Sequence, residues 1–279
     1  MVGDAQLASI RARYASEVMG WARRSGFDDP RVERAFAAVS RERFLTPPPW
    51  RIFSPGGVIR EETSDPAALY DDVLVVLDHA AGINNGQPSL HASWMAAVEP
   101  KPGETVVQVG VGAGYYTAIL AWLVGEGGRV HGYEIDRQLA GIAAAHLADF
   151  PWVDVLPVSG LAELPPADIL YVSAGAAAPP TEWLRALKPG GRLIFPWQPG
   201  PDHGTTLLVR RRESGFAARA IMPVSFIGCI GADARTMRAR GMPTRSFGET
   251  RSVWFRADRD PDETATAIHE HVWLSAREI

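Results

Sequence analysis

After residue 100 the chain alternates two kinds of apolar segment, and this alternation constrains its fold more than any other feature. Short β-type runs, "TVVQV" (105–109), "RVHGYEI" (129–135), "VDVLPV" (153–158), "DILYVS" (168–173) and "GRLIFPW" (191–197), are interleaved with helical patterns near 115–124, 136–149 and 179–187. Strands separated by helices lie parallel, joined by right-handed crossovers, with helices on both sheet faces. The runs are continuously apolar, as strands buried on both faces require. "TTLLVRR" (205–211) and a run near 218–226 follow without an intervening helix, so that edge is predicted antiparallel. The expected class is α/β: a Rossmann-like, mostly parallel seven-stranded sheet with an antiparallel edge.

Before this region, residues 5–24 and 31–39 have helical apolar spacing, and "DDP" at 28–30 supplies cap residues for the second helix. "TPPPW" at 46–50 ends that part, since proline removes a donor and restricts its predecessor. Residues 51–81 hold two short apolar runs in polar sequence. At the other end, "ARTMRARGMPTR" reads as a solvated connector, with an acidic peptide as the alternative use of Arg235, Arg238 and Arg240. "RSVWFRA" reads as a strand and "DPDETATAIHEHVWLS" as a capped terminal helix. The expected organisation is an N-terminal helical, substrate-side segment (1–81), a nucleoside-binding domain (82–230) and a C-terminal extension (231–279).

The 279 residues are 46% hydrophobic and 22% charged with net charge −4, which fits a globular chain and disfavours nucleic acid as a partner. The single cysteine, Cys229, excludes an intrachain disulfide and a cysteine-based zinc site. "HEH" at 269–271 lacks the spacing of a helical metal pair, so no metal is expected. No G-x-S-x-G elbow points to a serine hydrolase. The N-terminus lacks the apolar core of a secretory signal, and no apolar run approaches the ~20 residues of a membrane span. A cytoplasmic protein without membrane partners is expected. Trp94, Trp122, Trp183 and Trp197 fall within element patterns and are read as core.

Chemistry concentrates in two stretches. "VVQVGVGAGYYTAIL" places Gly110, Gly112 and Gly114 at the turn from the first strand into a helix, where glycines permit a tight turn and close approach of a ligand. Free N–H groups at the helix start favour a polar or anionic ligand. Glu134 ends the next strand, 20 residues after Gly114, where a carboxylate can accept both hydroxyls of a ribose. A dinucleotide fingerprint fails because Tyr115 stands at the third glycine. The spacing G-x-G-x-G resembles the loop of S-adenosylmethionine-dependent methyltransferases. The second stretch, "GINNGQPSLHASW" (82–94), is rich in polar groups and leads into a helix. Asn85, Gln87 and Ser89 either cap that helix or contact a ligand.

Further segments resemble the protein-L-isoaspartate O-methyltransferases in that family's order, over roughly residues 20–230. They are "DDPRVERAFAAVSRERFLTP", "YDD" (70–72), "GQPSLHASWMAAVEPKPGETVVQVGVGAG", "LKPGGRLIFPW" and "MPVSFIGCIG". The resemblance implies S-adenosylmethionine as cofactor, S-adenosylhomocysteine as product, and a carboxylate acceptor, an isoaspartyl or aspartyl side chain. It implies cofactor contacts from Asn84, Asn85, His91, Gln108, Gly110, Gly112, Gly114, Glu134, Ser159 and Gly160. Substrate-side contacts fall on Asn85, Gly86 and Gln87. Several positions depart from the family pattern. Gln108 stands for an acid, Ser159-Gly160 for Asp-Gly, Gly86 for the serine beside the transferred methyl, and Ile230 for a threonine.

Methyl transfer from a sulfonium is an in-line displacement, and a carboxylate with a pKa of about 4 is already a nucleophile at neutral pH. No general base is needed; alignment is the enzyme's contribution. A lost serine hydroxyl therefore leaves the reaction possible, with the Gly86 N–H or the amides of Asn84 and Asn85 orienting the carboxylate. Three other readings stay open at this point: the same fold with another peptide or small-molecule acceptor, a non-catalytic S-adenosylmethionine-binding module, and a dinucleotide oxidoreductase.

Overall fold

The structure is a computed structural model that describes residues 3–53, 59–200, 204–233 and 246–279. The arginines at 235, 238 and 240 lie outside the described residues. In chain order the elements begin α1 (Asp4–Arg24), α2 (Pro30–Ala38), β1 (Trp50–Phe53), β2 (Ile59–Thr63), β3 (Leu74–Asp78), β4 (Ile83–Asn84) and α3 (Pro88–Val98). Next come β5 (Thr105–Val109), α4 (Tyr115–Val124), β6 (Arg129–Tyr133), α5 (Arg137–His146), β7 (Val153–Leu156), β8 (Ala167–Val172) and α6 (Thr181–Ala186). The chain ends with β9 (Leu187–Trp197), β10 (Gly204–Arg212), β11 (Gly215–Val224), β12 (Ser252–Phe255), β13 (Ala265–Ile268) and β14 (Val272–Ser275). These elements form two compact units, residues 1–103 with 111–157, and residues 104–110 with 158–279.

In the first unit, α1 buries Tyr14, Val18, Met19 and Ala22 at helical spacing against α2 and α3. The Asp29 side chain caps α2 by accepting from the Arg31 N–H, with Pro30 in the first turn. β6 and β7 pair in parallel, with α4 leading into β6 and α5 connecting β6 to β7. The helical N-terminal segment expected from sequence also contains an antiparallel sheet in the order β2-β1-β3-β4. Its strands have only two to five residues, too short for a period-two pattern to stand out.

The second unit is a sheet in the order β13-β14-β12-β11-β10-β9-β8-β5. It is parallel from β5 through β8 to β9 and antiparallel beyond. β8 buries Ile169, Leu170, Tyr171 and Val172 completely, the two-faced burial its apolar run requires. The expected antiparallel edge at β11 is not the last strand, because β12, β14 and β13 continue it.

The expected terminal helix is replaced by the hairpin β13–β14. "DPDE" has the acids of a helix start, but Asp262 closes a tight turn instead, accepting from the Thr264 N–H at 3.0 Å. His269 N–H then donates to Val272 O at 2.9 Å to form the hairpin turn, and β14 is buried throughout. Trp94, Trp183 and Trp197 are fully buried as expected, whereas Trp122 is 38% exposed on the outer side of α4.

Candidate active site

In the first unit, Gly112 and Gly114 adopt φ of 58° and 99°. A Cβ at Gly114 would sit 3.1 Å from Leu147 Cδ1, and one at Gly112 would sit 3.3 Å from Leu77 Cδ1. Both positions thus combine a left-handed backbone with a close neighbour, and glycine suits both. Glu134 follows β6 and is 7% exposed. Its Oε2 accepts from the Gly112 N–H at 2.8 Å and its Oε1 from the Asp136 N–H at 3.1 Å. Each oxygen retains acceptor capacity, which is what a ribose diol needs. Ile135, next in the chain, is an apolar side chain left 47% exposed; reasoning from motifs alone passed over it.

The 82–94 stretch is organised differently from a helix cap. Gln87 occupies the N-cap position of α3 without a side-chain cap bond. The cap comes from Asp72, whose carboxylate accepts from the Ser89 N–H at 2.8 Å, the Ser89 hydroxyl at 2.7 Å and Gln87 Nε2 at 2.7 Å. Asn85 Oδ1 accepts from the Val75 N–H at 2.9 Å and from Arg41 Nη2 at 3.1 Å, tying the loop to β3. Asn84 Oδ1 accepts from the Gly86 N–H at 2.9 Å, so that N–H is already engaged.

Gly86 has φ of 74°, and a Cβ there would lie 2.5 Å from His91 Nε2 and 3.3 Å from Tyr116 Cε2. The His91 ring stacks on Tyr116 with centroids 3.6 Å apart, and the Tyr116 hydroxyl donates to Gly86 O at 3.0 Å. Ring, ring and backbone thus occupy the space a serine side chain would need. His91 is 1% exposed. Burial, with a smaller contribution from the Arg41 charge, pushes its pKa down to about 3, so the ring is neutral at pH 7.

Arg41, not singled out from sequence, underlies this loop. It lies in a 3-10 turn, Arg41–Phe44, and is fully buried. Nη1 donates to Leu69 O at 2.6 Å and Asp71 O at 3.3 Å; Nη2 donates to Val73 O at 2.6 Å and to Asn85 Oδ1. All four acceptors are neutral oxygens. A buried cation held by carbonyls was not legible in "VSRERF", because its acceptors lie 28–44 residues further along the chain.

In the second unit, Gln108 on β5 is 1% exposed, and neither atom of its side-chain amide has a hydrogen-bond partner. Such a buried amide costs about 1–3 kcal/mol unless a ligand satisfies it. Gly110 has φ of 78°, and a Cβ there would lie 3.4 Å from Ser173 O. Ser159 Oγ accepts from the Leu161 N–H at 3.2 Å, and Gly160 O from Trp183 Nε1 at 2.8 Å. A Cβ at Gly160 would fall 2.4 Å from Val109 Cγ1, so only glycine fits. Ile230 is 61% exposed. Within the first unit, the turn at Gly112 and Gly114 and the open lone pairs of Glu134 fit a nucleoside carrying hydroxyls.

Burial of neutral histidines sets an acid limit on stability. Burial also lowers the pKa of His269, in the second unit, to about 4. An unfolded histidine titrates near 6.5, so between about pH 6.5 and 4 the unfolded chain binds more protons than the folded one. Stability is therefore complete above that window and is lost as pH falls, by on the order of 3 kcal/mol per ring at pH 4. Urea midpoints measured from pH 7 to 4 check this, and His91→Phe is expected to flatten the slope. An equally steep slope in that variant refutes the assignment to His91.

Comparison with known proteins places this geometry. The family model for protein-L-isoaspartate(D-aspartate) O-methyltransferase matches residues 58–234, more than half of the chain. A protein-L-isoaspartate O-methyltransferase of Pyrobaculum islandicum is 30% identical over 203 residues, covering 71% of this chain and 89% of that one. One of Methylorubrum populi is 39% identical over 153 residues, covering 53% of this chain and 70% of that one. Among solved structures, a protein-L-isoaspartate O-methyltransferase superposes with a TM-score of 0.67 at 20% identity, covering 94% of this chain and 87% of that one. A Plasmodium falciparum structure in complex with S-adenosyl-L-homocysteine superposes at 0.61 and 19% identity, covering 77% of this chain and 97% of that one. These two share the methyltransferase fold, and the third-glycine mismatch that disfavoured a dinucleotide agrees with it. The chain belongs to the protein-L-isoaspartate(D-aspartate) O-methyltransferase family and is an S-adenosylmethionine-dependent methyltransferase.

Proposed function

We propose that the chain methylates the side-chain carboxylate of L-isoaspartyl residues in proteins or peptides, as the first step of their repair. The observation that carries the acceptor class is the buried Arg41 guanidinium, hydrogen-bonded to Asn85 and offset by no carboxylate among its four acceptors. The buried Arg41 cation behind the 84–87 loop favours an anionic acceptor there, against the opposing charge of the Asp72 carboxylate that holds Gln87 and Ser89. A carboxylate also suits a loop whose polar side chains, Asn84, Asn85 and Gln87, are uncharged, because it needs no base.

S-adenosylmethionine supplies, when bound, a methyl group on a sulfonium. Glu134 accepts the ribose hydroxyls, and Ile135 offers an apolar surface beside them. Gly110, Gly112 and Gly114 keep side chains away from the cofactor. Gln108, Ser159 and Gly160, the other positions the family resemblance gives to the cofactor, belong to the second unit. The Asn84–Gln87 loop, with His91 packed against Gly86, orients the acceptor and excludes water. Glu134→Gln is expected to weaken S-adenosylhomocysteine binding about 10–100-fold, the value of hydrogen bonds to a charged group. Calorimetry measures it, and an unchanged Kd removes Glu134 from the site.

Radiolabelled S-adenosylmethionine and an isoaspartyl peptide test the reaction. A base-labile labelled ester is expected, with no label on the matching aspartyl peptide. Label on neither overturns the proposed acceptor.

A further inference from the structure

The second unit contains a cleft of about 870 Å³ that the methyl-transfer site does not use. Its apolar lining includes Leu161, Pro179, Pro180, Phe255 and Val272. Two arginines, Arg185 and Arg256, and three acids, Glu182, Asp258 and Glu270, also line it. The Arg185 guanidinium stands 5.6 Å from the centre of the Phe255 ring. Balanced charge around an apolar lining argues against a small anion or cation as occupant. It suits a chain segment whose side chains vary.

We propose that this cleft is a docking site for an extended segment of the polypeptide acceptor, away from the isoaspartyl residue itself. Three observations point to a polypeptide. First, β13 pairs only with β14 and forms the outer edge of the sheet among the described residues, and His269, which follows it, lines the cleft. The strand itself is not part of the lining, so a chain seated in the cleft reaches that outer edge only by extending past His269. Second, His269 is 2% exposed and its Nε2 has no hydrogen-bond partner. Third, the cleft is continuous with the cofactor segment. Leu161 directly follows Ser159-Gly160 and donates its N–H to Ser159 Oγ, and Gly231 and Ala232 of the lining directly follow the exposed Ile230. Most of the other side of the cleft comes from β12, β14 and their connections, which lie beyond residues 58–234 matched by the family model. The C-terminal extension thereby gains a role: it holds the acceptor chain.

This inference rests on the reading of a polypeptide acceptor, and its test has an arm that needs no turnover. Ala257 is an exposed residue of the lining, and Ala257→Trp fills the cleft without touching the core. A fluorescent, unmodified aspartyl peptide of ~25 residues is expected to bind the wild type, with affinity at least about tenfold lower in the variant. S-adenosylhomocysteine affinity is expected to stay equal in both, which confirms an intact fold. Equal peptide affinity in the two proteins, or no binding to either, overturns the proposal. In turnover, the variant is expected to raise KM for a ~25-residue isoaspartyl peptide and leave a ~6-residue one unchanged. Equal effects on both lengths also overturn it. Loss of methylation of both peptides in the wild type, with docking preserved, overturns the acceptor assignment instead. Sedimentation adds a last check: a wild-type dimer that Ala257→Trp dissociates assigns the cleft to a second copy and overturns a polypeptide occupant.

Discussion

Arg41→Met is expected to destabilise the first unit by more than about 3 kcal/mol, the largest effect of any single exchange at the site. The guanidinium is fully buried and bonds three main-chain carbonyls, of Leu69, Asp71 and Val73, together with Asn85 Oδ1. Methionine matches much of the volume but supplies no donor. Each carbonyl left unpaired in the interior costs about 1–3 kcal/mol, reduced where the chain can relax toward water. Removing the buried cation itself recovers part of this, since it was desolvated in the folded state. Arg41→Lys is expected to fall between wild type and Arg41→Met. A lysine ammonium has three donors on a point charge and cannot span acceptors set around a planar fork. Urea unfolding measures all three proteins. A loss below about 1 kcal/mol in Arg41→Met would show that the segment 69–73 finds other partners, and that Arg41 is not what holds the Asn85 loop. The positioning role has its own readout. Lysine is expected to raise KM for the isoaspartyl peptide more than it lowers kcat, because the loop it slackens is the one proposed to orient the acceptor.

How much of this was legible in the sequence follows from the range of each interaction. The β/α alternation after residue 100 is a local pattern, and every strand from 105 to 224 formed where the apolar runs placed it. The glycine turn and Glu134 were legible for the same reason, since the hydrogen bond from Gly112 to Glu134 depends on a spacing that strand and helix geometry impose. The loop at 84–87 was legible in place but not in wiring. Its polar side chains looked like caps for α3, yet the cap is Asp72, 17 residues before Ser89. Asn85 is spent on β3 and on an arginine 44 residues earlier. Side chains that bond across such separations leave no periodic trace. The C-terminal hairpin was misread because acids at a turn and acids at a helix start are alike in composition; the burial of β14 and the Asp262 turn distinguish them.

Gly86→Ser restores the residue the family usually has at this position, and it is expected to damage the protein. Gly86 has φ of 74°, a conformation that costs a residue with a Cβ about 1–2 kcal/mol. The new Cβ would also meet His91 Nε2 at 2.5 Å, below any normal contact. The imidazole is not the loose end of a flexible chain, because it is stacked on Tyr116 with centroids 3.6 Å apart. Relief requires moving the ring, the loop or both, and the combined loss is expected at about 2–4 kcal/mol. Activity on an isoaspartyl peptide should fall with it, since the displaced loop carries Asn84 and Asn85. The strain and the clash separate in a double-mutant cycle with His91→Ala. That exchange removes the ring and leaves the φ strain, so the pair should couple favourably by more than about 1 kcal/mol. A Gly86→Ser protein as stable as wild type, with faster turnover, would mean that the hydroxyl was merely missing. A strong favourable coupling would instead show that glycine and the His91–Tyr116 stack are one arrangement, in which loss of the serine and burial of the imidazole are two sides of the same packing solution.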